Sequence, residues 1–268
     1  MPIKVVYTAE AFESTPTNNM HLVLGLSGQS CGVAVHTAEE KLQFLGQYDF
    51  LHPLKDNESV FFDFVRSQDV LKNTYKTTTV VVGGYKGTLI PSELYSDLHL
   101  DGYLRHLYTV KDDEVIKVTE AIGGQAQLVY AAQDYIYYPV RSKYFDARIE
   151  PVSAAFIRKS IKHHPNKLNA FFYDGKLCLI HSQNATPAFF NIFDYDTVDE
   201  AAYFILNYYQ TFNIPQQQLP LLLHGQIHPQ LAEILNTYGG KFEQATLLNK
   251  NIDVPNNFDY GYLIDFTH

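Results

Sequence analysis

Residues 22–50 read LVLGLSGQSCGVAVHTAEEKLQFLGQYDF, and the same order of elements returns at residues 169–195, NAFFYDGKLCLIHSQNATPAFFNIFDY. In the first copy Leu22, Leu24 and Leu26 alternate with Val23 and Gly25, and this strand pattern stops at the turn composition Ser27-Gly28-Gln29-Ser30. Val33 and Val35 start a second strand, and Ala38-Glu39-Glu40-Lys41 leads into a third over 42–51. Connections this short make an antiparallel meander. Residues 56–71 then carry Val60, Phe61, Phe64 and Val65 at helical spacing, a face that can cover the sheet. In the second copy, strands over 169–173 and 176–181 flank Asp174-Gly175, a strong two-residue hairpin signal, and a third strand spans 188–195. Thr197-Val198-Asp199-Glu200 is a capping box, opening a helix with the apolar stripe Ala201, Phe204, Ile205, Tyr208 and Phe212.

Each copy is followed by a buried strand. TTTVVV at 77–82 is β-branched throughout, and a helix before it makes it parallel to its neighbour. LPLLLH at 219–224 has the same position after the second copy, with a helix from Pro229 to a stop at Gly239-Gly240. Between the copies, Pro91 opens a short helix, strands are expected over 114–119, 127–132 and 147–150, and helices over 134–145 and 152–164. Strands over 242–248 and 260–266 complete the reading.

Composition narrows the function classes. A chain of 268 residues, 46% hydrophobic, buries a sizeable core as one large domain or two modest ones. Lys and Arg total 20 against 29 Asp and Glu, a formal charge of -9, with no dense basic run, so nucleic acid is disfavoured as a partner. No apolar stretch is long enough to span a bilayer and the first residues lack signal-peptide character, which points to the cytoplasm. Cys31 and Cys178 are the only cysteines; they form no disulfide framework and fit a reducing compartment.

The doubled unit resembles the actin-like ATPase superfamily, and more closely a bacterial family of unknown function with that fold. The resemblance implies an α/β protein of two ribonuclease-H-like lobes, residues 1–150 and 151–268, with mixed sheets flanked by helices. Glu150-Pro151-Val152-Ser153-Ala154-Ala155 sits where the chaperone members begin their interdomain helix, although any Pro-started, Ala-rich helix reads alike. Leu221-Leu222-Leu223-His224-Gly225 matches the strand and one of the two glycines of the adenosine loop. Where the first phosphate hairpin of the superfamily reads D-x-G-[ST], this chain has Gly25-Leu26-Ser27-Gly28, with Gly25 at the acidic position. In the second hairpin Asp174 matches the acidic residue, but Gly175-Lys176-Leu177 replaces the glycine run. Phosphoryl transfer depends on positioning and charge neutralisation, so these departures imply a degenerate cleft. Ser27, Gly28, Gln29, Asp174, Gly175 and Gly225 are then its vestiges, with no catalytic residue, no metal and no cofactor, and a protein partner. The rival is an ATPase or kinase with altered loops, in which Ser27, Gln29 and Asp174 meet the phosphates or metal of ATP-Mg2+ and Gly225 lies under the adenine.

Other constellations read as structural. His224 and His228 share a zinc-like spacing, but Gly225 and Pro229 break the helix that such a site needs. His163-His164 closes a helix, where a cation suits the dipole. Val82-Gly83-Gly84-Tyr85-Lys86-Gly87 reads as the turn after a buried strand. With 20 Tyr, 18 Phe and no Trp, most aromatics belong to the core, while Tyr135, Tyr137 and Tyr138 crowd a moderately polar segment suited to protein contacts.

Overall fold

The computed structural model describes residues 4–10, 12, 15–83, 86–173, 175–225, 227–238, 241–245 and 260–264. The first meander is β2 (His21–Leu26), β3 (Ser30–His36) and β4 (Leu42–Asp49), with β1 (Lys4–Thr8) added along β4. Helix α1 (Ser59–Ser67) follows, and β5 (Thr77–Val82) lies parallel to β2. An insertion then forms its own three-stranded sheet from β6 (Gly87–Pro91), β7 (Glu114–Ile122) and β8 (Ala126–Gln133), with the short α2 (Leu100–Arg105) on it. The chain returns through α3 (Asp134–Lys143), which accommodates Pro139, to β9 (Arg148–Pro151), parallel to β5. The first sheet therefore has six strands in the order β1-β4-β3-β2-β5-β9.

Helix α4 (Val152–His163) leads to the second copy: β10 (Leu168–Tyr173), β11 (Lys176–Gln183), β12 (Thr186–Asp194), α5 (Val198–Thr211), β13 (Leu221–Gly225), α6 (Pro229–Thr237) and β14 (Phe242–Gln244). Its sheet runs β12-β11-β10-β13-β14, the order of the first sheet without β1. Three antiparallel strands followed by two parallel ones, twice, is what the doubled sequence pattern requires. Both sides of the Thr197–Glu200 capping box are made, the Glu200 N–H donating to Thr197 Oγ1 at 3.2 Å and the Thr197 N–H to Glu200 Oε2 at 3.1 Å.

Layers alternate. Phe61, Phe64 and Val65 of α1 and Ile136 and Val140 of α3 cover one face of the first sheet on Leu22, Leu24, Val33 and Val35. Ala201 and Ile205 of α5 and Leu231 and Leu235 of α6 cover the far face of the second on Leu168, Ala170, Leu177 and Leu179. Between the sheets a shared core joins Val23 and Ala34 to Phe171, Cys178 and Ile180 through α4 and through Tyr260, Leu263 and Ile264.

Several expectations need correction. Residues 260–264 contain a 3-10 turn, Gly261–Leu263, rather than the expected strand, because tertiary contacts of Tyr260 and Leu263 set their backbone. Strands β1 and β6 carry no period or turn signal strong enough to be read locally. Pro91 closes β6, and only a 3-10 turn, Ser92–Leu94, follows it. His164 is not a cation: burial first, then Lys159, His163 and Lys167, lowers its pKa to about 4. Asp174, Gly84-Tyr85, Gly239-Gly240 and residues 246–248 and 265–266 of the expected strands lie outside the described residues.

Candidate functional site

The first turn lies at the carboxyl end of β2, next to the carboxyl end of its parallel neighbour β5, the side of a mixed α/β sheet where ligands gather. It closes with the Ser27 N–H donating to the Ser30 carbonyl at 3.0 Å. Ser27 Oγ then accepts the N–H of Gln29 at 3.2 Å and of Ser30 at 3.0 Å, a serine turn that turns these donors inward. The outward carbonyls are engaged too: Gly28 O accepts from the Leu54 N–H at 2.8 Å and Gln29 O from the Phe50 N–H at 2.7 Å. Gln29 itself is exposed. Gly28 has room for a side chain, since an added Cβ would stand 3.5 Å from the Tyr135 hydroxyl, an ordinary contact.

Tyr260 reaches this turn from the far end of the chain. Its hydroxyl lies 2.7 Å from Ser30 Oγ and donates to Ser27 Oγ at 3.3 Å. Its ring rests on Gly25 and Gly32, which face each other across β2 and β3. A Cβ at Gly25 would lie 2.4 Å from the Tyr262 hydroxyl and 2.6 Å from Tyr260 Cδ1, and one at Gly32 2.3 Å from Tyr260 Cγ. The position that the superfamily pattern gives to an acid is thus filled by the protein's own tyrosines.

The second turn is two residues long, between the last pair Tyr173 and Lys176. Gly175 has φ +67°, which suits the tight hairpin, and Lys176 pairs with Asp194 on β12. Gly225 lies beside it, at the end of β13 opposite Phe172. Its φ is +90° and a Cβ would stand 2.4 Å from the Phe172 carbonyl oxygen, so close backbone approach demands this glycine.

The structure therefore gathers Ser27, Gly28 and Gln29 on one sheet and Gly175 and Gly225 on the other. From the first turn toward the second runs a row of rings. Tyr260 and Tyr262 are 6.1 Å apart, Tyr262 and Phe156 of α4 6.3 Å, and Phe156 and Tyr173 5.2 Å, with Phe156 stacked on Phe171 at 4.2 Å. Glu150, completely buried at the junction of β9 and α4, accepts from both nitrogens of the Arg158 fork and pairs with Arg148 Nε at 2.9 Å. Arg148 also donates to the Glu120 carbonyl of β7 at 3.0 Å, so the same carboxylate is linked to the insertion.

At the other end of α4 His224 is buried, stacked on Phe171 at 4.0 Å, with Nε2 2.9 Å from Asn169 Oδ1. That acceptor puts the proton on Nε2, and burial lowers the pKa to about 2. His228 caps α6 with Nδ1, apart from His224 in role. Among the described residues no three His, Cys, Asp or Glu stand together where they could hold a metal ion. Burial pushes the thiols of Cys31 and Cys178 up, leaving them un-ionised.

Tyr260, Ser30, Gly32 and His36 escaped the sequence reading. The facing glycines Gly25 and Gly32 were the available signal: two missing side chains on neighbouring strands leave a hollow that something else must fill.

Two meander-helix-strand halves, stacked through a connecting helix with their turns at one edge, are the architecture of an actin-like ATPase fold. The chain belongs to the family described as "Protein of unknown function (DUF3822)", whose model matches residues 9–239. It is similar in structure to a Bacteroides thetaiotaomicron protein with an actin-like ATPase fold and unknown function, at TM-score 0.73 and 16% identity over 87% of this chain and 93% of that one. It also aligns with the cytoplasmic domain of EpsL, an inner membrane component of the type II secretion system of Vibrio cholerae (TM-score 0.47, 13% identity, 86% and 91% covered). The ethanolamine utilization protein EutJ from Carboxydothermus hydrogenoformans aligns at TM-score 0.45 and 7% identity, with 85% and 87% covered. No curated protein matches the sequence. Among the described residues no helix is long and apolar enough to cross a membrane.

Proposed function

We propose that this chain is a non-catalytic actin-like protein of two lobes, residues 1–150 and 151–268, that works through protein contacts in the cytoplasm. The observation that carries this reading is the filling of the space beside the first turn. A phosphate cradle needs backbone N–H groups directed outward and a carboxylate for the metal's water shell. Here the Gln29 and Ser30 donors turn onto Ser27 Oγ, and Tyr260 lies over Gly25. These residues do not fit ATP-Mg2+.

A protein partner is supported by the insertion, which exposes Leu94, Leu98 and Leu107, Leu98 by 92%. The acidic balance of the chain speaks against nucleic acid. Isothermal titration with ATP and Mg2+ is the test: heats indistinguishable from dilution and no released phosphate are expected. Submillimolar binding with turnover overturns the reading in favour of an enzyme with altered loops.

A further inference from the structure

The first sheet is complete without residues 260–264. Its ladder runs unbroken from β1 to β9, and this segment contributes no strand to it. What holds the segment is ligand-like: three side chains in a hollow, and polar bonds at its two ends. Tyr260, Leu263 and Ile264 are buried. The Tyr260 hydroxyl bonds Ser30 Oγ, and 227 residues from its partner the Leu263 carbonyl lies 2.9 Å from His36 Nε2. The hollow is cut by the facing pair Gly25 and Gly32, where any Cβ would collide with Tyr260.

We propose that this face of the first sheet is a peptide-docking groove for a Tyr-x-x-Leu segment, occupied in cis by the chain's own residues 260–264. The phenol is read by Ser27 and Ser30, the ring by the two glycines, and the carbonyl three residues on by His36. A tethered ligand sits at a high local concentration, so the wild-type groove is filled and a free copy of the same peptide competes poorly. The groove is independent of the proposed function: nucleotide titration decides that function, and peptide binding decides the groove.

The experiment uses the full chain and a fluorescein-labelled peptide of residues 258–268, followed by anisotropy. Tyr260→Ala loosens the chain's own segment while leaving the groove intact, so this variant is expected to bind the peptide at least about tenfold more tightly than wild type. A peptide carrying the same Tyr260→Ala change is expected to bind at least about tenfold more weakly than the native peptide. Tyr260→Phe, which removes only the hydroxyl of the chain's own segment and leaves Ser27 and Ser30 in place, supplies a second, milder chain in case Tyr260→Ala does not fold; its affinity for the native peptide is expected to fall between those of wild type and Tyr260→Ala. Equal binding by wild-type and variant chains, no binding to any of them, or equal binding of the two peptides overturns the proposal.

Discussion

On the sides where the two sheets face each other, the second is covered by α4, a helix of 12 residues arriving from the first sheet. The first is covered by residues 260–264, a single 3-10 turn arriving from the second copy. The exchange is reciprocal in direction and unequal in means. Helix α4 is anchored at its start by a buried carboxylate held by two arginines, and it buries Val152, Ala154, Ala155, Phe156 and Ile157. The C-terminal turn depends on the absence of side chains beneath it. One duplicated architecture has thus been closed on one side by added structure and on the other by glycine.

The largest effect should come from the better-anchored cover. Glu150→Ala leaves Arg158 and Arg148 without their shared carboxylate, and urea unfolding should show a loss of about 3–5 kcal/mol. A loss below that caused by Tyr260→Phe would reverse the ranking of the two covers.

Acid separates the sheets next. His164 and His224 sit where α4 meets the second sheet, and burial holds their pKa values at about 4 and about 2, while a histidine in the unfolded chain takes up its proton near 6.5. Below that value the unfolded state binds protons that the folded state refuses, so stability falls with falling pH and is level above it. Each such imidazole lowers stability by about 1.4 kcal/mol per pH unit, less for the partly exposed His164. His181, bonded through Nδ1 to the Tyr208 hydroxyl, shifts in the same direction by burial, and His21 of the first sheet does so by burial and by Lys76. Amide exchange at pH 7 and pH 5 should therefore lose more protection in β10 and β13 than in β2 and β3.

The smallest effect tests the weaker cover. Tyr260→Phe keeps the ring on Gly25 and Gly32 and removes only the hydroxyl shared by Ser30 and Ser27, a loss of about 1 kcal/mol by thermal unfolding. A loss several times larger would mean that the hydroxyl, rather than the glycine hollow, holds the turn.

How much of this was readable in the sequence depends on range. Leu22 to Leu26, the Asp174-Gly175 turn and the Thr197–Glu200 box announce themselves within a few residues, because strand alternation, hairpin chemistry and helix capping are local. They yielded both meanders and hence the fold. The C-terminal turn did not: alternating Tyr260, Tyr262 and Ile264 mimic a strand, and its backbone is set by partners more than 220 residues away in sequence. The charge of His164 was misread for a similar reason. Its helix-end position favours a cation, but desolvation at the junction of α4 with the second sheet outweighs the dipole. Gly25 was recognised as an absence of acid; only the structure gives the reason, which is the ring above it.

The row Tyr260, Tyr262, Phe156 and Tyr173 also has a mechanical meaning. A cleft that grips and releases a ligand works as a jaw, and its two halves must swing. Close-packed rings wedged between the halves act as a spacer of fixed width, since interiors packed to crystal-like density do not compress. While Tyr260 is seated, the spacing of the sheets along this row is set by side-chain dimensions rather than by a hinge.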